Sequence, residues 1–188
     1  KTPRAAIIAE YFKFLRETFP NEKISADLFG LATVNSDDLG IGQVIQDAYM
    51  YFDYVSPMVY PSHYASGFLG YANPANYPYE VILYSMKHAL QKLLAMGASP
   101  ISAASSSTAT SSESSASSKF TLGAVPNSKL RPWLQAFNLG AAYNAAMIEK
   151  EITAVSDALH ATSTTDRFAG WLLWDPGNGY ASIENMKF

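Results

Sequence analysis

The chain has 188 residues, a length for one ordinary domain, and 48% of them are hydrophobic, enough for a sizeable core. A net charge of −3 without any Lys/Arg cluster excludes nucleic acid as the main partner. With no cysteine, a disulfide framework, a thiolate metal site and a Cys nucleophile are excluded as well.

Taken in chain order, Ala5 to Phe19 reads as an amphipathic helix, with Ile8, Tyr11, Phe12, Leu15 and Phe19 at helical spacing and Pro20-Asn21 as its stop. Lys23 to Phe29 reads as a short strand ending at Gly30. Ile41 to Tyr51 is a second helical pattern, followed by an apolar run from Tyr54 to Tyr60 that reads as a buried strand. Tyr79 to Met96 is a third helix, with Ile82, Met86, Leu90, Leu93 and Leu94 along one side. Ser102 to Ser118 is almost entirely Ser, Ala and Thr and holds no large apolar residue, so it reads as a flexible insertion in a surface loop. Order is expected to resume with a strand from Lys129 to Phe137, an Ala-rich helix from Ala142 to Leu159, and a last strand from Phe168 to Trp174.

Strands alternating with helices imply an α/β fold with parallel strands. Their continuously apolar runs fit a sheet covered on both faces. Four strands suffice for a small open sheet, whereas a closed barrel of this kind needs eight. The pattern therefore predicts either a minimal doubly wound sheet or half of a barrel.

In parallel α/β folds the reactive groups gather at the carboxyl ends of the strands. The first strand end offers Asp27. The second offers Tyr60, Ser62, His63 and Tyr64; the third offers Trp133 and Gln135; the fourth offers Trp174 and Asp175. Aromatic residues make up 13% of the chain and charged ones only 15%. Tyr and Trp join an apolar body to a hydrogen-bonding tip, as sugar clefts, protein interfaces and cores all require. Such rings can stack on pyranose faces while carboxylates and Gln bind hydroxyls. Each residue also has a plainer role open to it: Asp27 as a strand-end cap, Asp175 as a turn residue before Pro-Gly, His63 as a structural hydrogen-bonder, the tryptophans as core. The three His, at 63, 88 and 160, are far apart, so no metal site is expected. A Gly-rich phosphate loop and a Gly-x-Ser-x-Gly elbow are both missing from the sequence, and no cofactor is expected. No apolar run approaches the ~20 residues that span a bilayer, so no membrane span is expected either. The composition leaves the compartment open between cytosol and export, with a bacterial extracytoplasmic or cell-surface location preferred.

Six segments carry a more specific signal. They are Ser-Ala-Asp-Leu-Phe-Gly (25–30), Ile-Gly-Gln (41–43), Asp-Tyr-Val-Ser-Pro-Met-Val-Tyr-Pro-Ser-His-Tyr (53–64), Pro-Tyr-Glu (78–80), Arg-Pro-Trp-Leu-Gln-Ala-Phe (131–137) and Gly-Trp-Leu-Leu-Trp-Asp (170–175). Together, and in this order, they resemble a bacterial family assigned as glycoside hydrolases and long known only as a domain of unknown function. The resemblance covers nearly the whole chain apart from the Ser-rich insertion. It implies a TIM barrel distantly similar to α-amylase-type hydrolases, of which this chain matches strands five to eight. The family's fourth strand carries an Asp-Tyr-(Ile/Val)-Arg-Phe-Pro motif, home of the nucleophile carboxylate, and that motif does not occur here. Asp27 then falls at the end of strand five, where related enzymes place an acid/base carboxylate, although Asp stands where a Glu is usual.

Glycoside cleavage needs two carboxyl groups, roughly 5 Å apart for retention and about 6.5–9.5 Å for inversion. Asp27 is the better candidate for one of the pair and Asp175 the poorer, so the isolated chain is expected to hydrolyse nothing. Three functions follow as expectations. The first is a glycoside hydrolase represented by half its barrel; the second is a non-catalytic carbohydrate-binding or cell-envelope module that kept the aromatic cleft. The third is a small open α/β domain that binds a protein partner. A half-barrel leaves strand edges and an apolar face open, which predicts association with the missing N-terminal half or with a second copy.

Overall fold

A computed structural model describes residues 2–97, 126–162, 165–180 and 183, so the Ser-rich insertion lies outside the described residues. Among them four α-helices and the strands of a parallel sheet alternate: α1 (Arg4–Thr18), β1 (Ser25–Phe29), α2 (Ile45–Tyr51), β2 (Tyr54–Met58), α3 (Pro78–Ala95), β3 (Lys129–Leu130), β4 (Trp133–Gln135), α4 (Ala145–Thr162) and β5 (Leu172–Trp174). The α/β class and the parallel pairing expected from the alternation are present. No helix among the described residues is long and apolar enough to cross a membrane.

The sheet runs β1-β2-β4-β5, with β3 also on β2. β3 and β4 are two pieces of the single strand expected over 129–137. The register that pairs Val55 with Leu130 continues to Met58 with Trp133, which sets Pro57 opposite Pro132. Neither proline has an N–H to give the ladder, so pairing lapses between the two pieces. The last strand is shortened for a different reason. Phe168 bridges Leu130 while Leu172 pairs with Trp133, which leaves one extra residue on the last strand. Gly170, at φ +81°, takes up that bulge in the left-handed region.

One apolar cluster gathers Ala26 and Leu28, Val55, Leu130 and Leu134 with Phe12, Ile45, Met86, Leu90, Val155 and Leu159, so all four helices join it. Successive side chains on a strand point to opposite faces. Ser25, Asp27 and Phe29 therefore lie on the other side of β1 from Ala26 and Leu28, and they are exposed. Trp133 and Trp174 share that side across the sheet. The expectation of cover on both faces is thus corrected: among the described residues the helices cover one face only. The strand order explains why. Each strand is added beside its predecessor, and right-handed crossovers that advance in one direction place every helix on the same side.

Candidate functional site

The uncovered face carries polar and aromatic side chains that the strands set in rows. Asp27, at the middle of β1, is level with Ser56 on β2, and its Oδ1 accepts a hydrogen bond from Trp133 Nε1 at 3.0 Å. That bond reaches across β2 and links the first strand to the third. Trp133 in turn meets Trp174 edge to face, with ring centroids 6.0 Å apart and planes at 82°. Trp174 keeps 42% of its surface exposed and Phe29 keeps 54%. A carboxylate fixed by an indole, beside a second and accessible indole, is an arrangement that can bind a pyranose hydroxyl while a ring face stacks.

At the carboxyl ends of β1 and β2 a cavity of about 160 Å³ is lined by Phe29, Gly30, Leu31, Met58, Tyr60, His63 and Tyr64. Gly30 is obligatory at this place: a Cβ there would run into the Met58 carbonyl oxygen and come within 3.0 Å of the Tyr64 hydroxyl. Tyr60, His63 and Phe137 form an edge-to-face trio, with centroids 5.3 Å apart for Tyr60–His63, 5.5 Å for Tyr60–Phe137 and 6.0 Å for His63–Phe137. Burial, helped by the nearby charges of Asp27 and Glu151, pushes the Tyr60 phenol far above its usual range, so it stays a neutral donor. Tyr64 is buried and its hydroxyl meets Ser85 Oγ at 2.8 Å; burial pushes it up to about 12.

The remaining residues singled out from the sequence are more occupied. Gln135 is fully buried; its Oε1 accepts from the Ser62 N–H at 3.1 Å and its Nε2 donates to the Phe137 carbonyl at 2.9 Å. Asp175 closes its own turn, accepting from the Gly177 N–H at 2.7 Å. The structure thus brings Asp27, Trp133 and Trp174 together in one contact chain, and Tyr60, His63 and Tyr64 around one cavity. Phe29 and Met58 border both.

Sequence reasoning did not single out Glu151, Tyr143 or Phe137. Glu151 is fully buried on α4, accepting from Gln135 N at 3.0 Å and from the Tyr143 hydroxyl at 3.2 Å. Its signal was readable, because Glu151 occupies the inward stripe of that helix between Ile148 and Val155 at i, i+3 and i+7 spacing. Among the described residues, no three His, Asp or Glu side chains converge as metal ligands.

Residues 1–103 match the model of a family described as "Putative glycosyl hydrolase domain". No curated protein and no solved structure matches the chain.

Proposed function

The chain belongs to that glycosyl hydrolase family, and from this premise we propose that it is the C-terminal half, strands five to eight, of a (β/α)8-barrel glycoside hydrolase acting on a poly- or oligosaccharide. Three features of the fold support the half-barrel. The strands follow one another in sequence order, whereas doubly wound sheets reverse at a switch point. Among the described residues all four α-helices sit on one face. The other face is lined by side chains in rows, as the interior of a barrel is.

The observation that carries the functional reading is the Asp27–Trp133–Trp174 chain on the uncovered face. On this reading Asp27 is one of the two carboxyl groups flanking the scissile bond. Trp174 and Trp133 wall the cleft. Tyr60, His63 and Tyr64 shape the end of the site at the second strand, and Gln135 contributes from behind it. The second carboxylate comes from the half that precedes this one, so the chain alone turns nothing over. The strand edges at β1 and β5 and the uncovered face favour association with that half or with a second copy.

One observation favours a second reading. Asp175 is engaged by its own turn, which leaves a single well-placed carboxylate among the candidates. A carbohydrate-binding or cell-envelope module with an aromatic cleft would look the same. Reducing-sugar release from a polysaccharide panel by a full-length protein carrying this chain separates them. Turnover abolished by Asp27→Asn supports the hydrolase. Glycan binding without turnover, weakened by Trp174→Ala, supports the module, and turnover unaffected by Asp27→Asn refutes the catalytic assignment.

A further inference from the structure

Behind the cavity runs a chain of polar groups that ties Gln135 and His63 to α4. Past Met58, β2 leaves the sheet and turns through Tyr60 into the short 3₁₀ turn Pro61–His63. The Val59 N–H still reaches the Trp133 carbonyl at 3.2 Å, but one step further the neighbouring strand has lost its partner. Gln135 is the residue left at that point. Its backbone N–H would be an orphan in the core, and Glu151 Oε2 accepts from it at 3.0 Å. Its side chain then takes the Ser62 N–H at 3.1 Å, and Ser62 Oγ lies 3.1 Å from His63 Nδ1. Four groups thus connect α4, β4 and the turn that carries His63.

The cost of this arrangement argues for its use. Glu151 forms no ion pair among the described residues, and burial raises its carboxyl well above the usual range, against the pull of the bonds from Tyr143 and Gln135. A leucine at that place on α4 would carry no desolvation cost. What a leucine cannot do is accept the Gln135 N–H where the sheet splits. We propose that Glu151 and Gln135 are positioning residues that tether the Pro61–His63 turn to the end of β4 and so fix the orientation of the His63 ring at the wall of the cavity. The bearing of this on turnover rests on the glycan reading; the placement of His63 does not.

The test is NMR on the folded chain, read as amide exchange of Ser62 and as the ¹⁵N shifts of the two His63 ring nitrogens. Gln135→Met and Glu151→Leu are expected to speed Ser62 exchange by about tenfold, the loss of one part-buried hydrogen bond of about 1.4 kcal/mol, and to move the His63 nitrogens. Glu151→Gln keeps a carbonyl for the Gln135 N–H and stays close to the parent. Val155→Ala, which loosens the same helix without touching the chain of bonds, moves neither signal. Ser62→Ala removes only the last, solvent-accessible link and is expected to shift His63 even where the buried variants fail to fold. Unchanged His63 nitrogens in Ser62→Ala, or a Val155→Ala response equal to that of Glu151→Leu, overturns the proposal. No sugar enters the measurement, so a failure of the glycan reading leaves its result standing.

Discussion

The two faces of one sheet differ sharply in what they carry. On the helix side Leu28, Val55, Leu130 and Leu134 are all but inaccessible. On the other side Asp27, Phe29, Trp133 and Trp174 are exposed or half-exposed, while Ser56 and Gln135 on that side are buried. The same backbone serves both, because alternate residues of a strand face opposite ways. On β1, core and exposed positions are thereby interleaved, and a change of one residue number moves a mutation from one face to the other.

The largest effect is expected on the covered side. Leu134→Ala leaves a cavity among tightly packed neighbours and should cost about 2–5 kcal/mol in urea unfolding. A value near zero would mean that the helix layer packs elsewhere.

Next comes Asp53, which ties the covered layer together at the start of β2. Its carboxylate accepts from Arg16 at 2.6 Å, Lys23 at 2.8 Å and the Ile24 N–H at 3.0 Å. Partial burial on its own would raise the Asp53 pKa, but the bonds from Lys23, Arg16 and Ile24 lower it to about 2. A carboxyl with a lowered folded-state pKa adds stability above its unfolded value near 4, and loses it as pH falls towards 2. Asp53→Asn should cost about 1–2 kcal/mol at neutral pH and flatten the stability profile between pH 4 and pH 2. A parent and variant that lose stability in parallel over that range would sink this assignment.

The uncovered face should respond in the opposite sense. Trp174→Ala and Phe29→Ala, both at well-exposed rings, are expected to change stability by no more than about 0.5–1 kcal/mol. Asp27→Asn should change it least, within about 0.5 kcal/mol, since an amide oxygen still accepts from Trp133. Urea titrations of the three, compared with Leu134→Ala, check the ordering.

How much of this was readable in the sequence follows the same division. Side-chain periodicity announced α1, α3 and α4 to within a few residues. The sequence pattern starts α4 at Ala142, whereas Asn138 Oδ1 takes the Tyr143 N–H and the Asn144 side chain accepts the Met147 N–H, which caps the helix later. From 129 and from 168 the apolar pattern runs longer than the paired strands for a backbone reason. Facing prolines and a one-residue bulge interrupt pairing without altering the apolar pattern. Apolar runs imply cover on both faces, yet β1 alternates strictly and only its even-numbered residues are buried. At the site, Asp27, Tyr60, His63 and Trp133 stand out in the sequence as strand-end residues, but Asp27 sits at the middle of β1 and Trp133 at the start of β4. Their mutual contacts do not stand out, since the Asp27–Trp133 bond joins residues 106 apart in the chain. Glu151 was legible as a charge on an apolar stripe, but its partner Gln135 is reached only through the fold.

The most direct test pairs two neighbouring faces in one protein. Asp27→Asn and Leu134→Ala are introduced separately into a full-length protein carrying this chain, and unfolding free energy and polysaccharide turnover are measured on both. The account predicts that Asp27→Asn keeps parental stability and loses turnover by about 10²–10⁴-fold, while Leu134→Ala loses about 2–5 kcal/mol and its folded fraction keeps parental turnover. Parental turnover in a folded Asp27→Asn protein would contradict it.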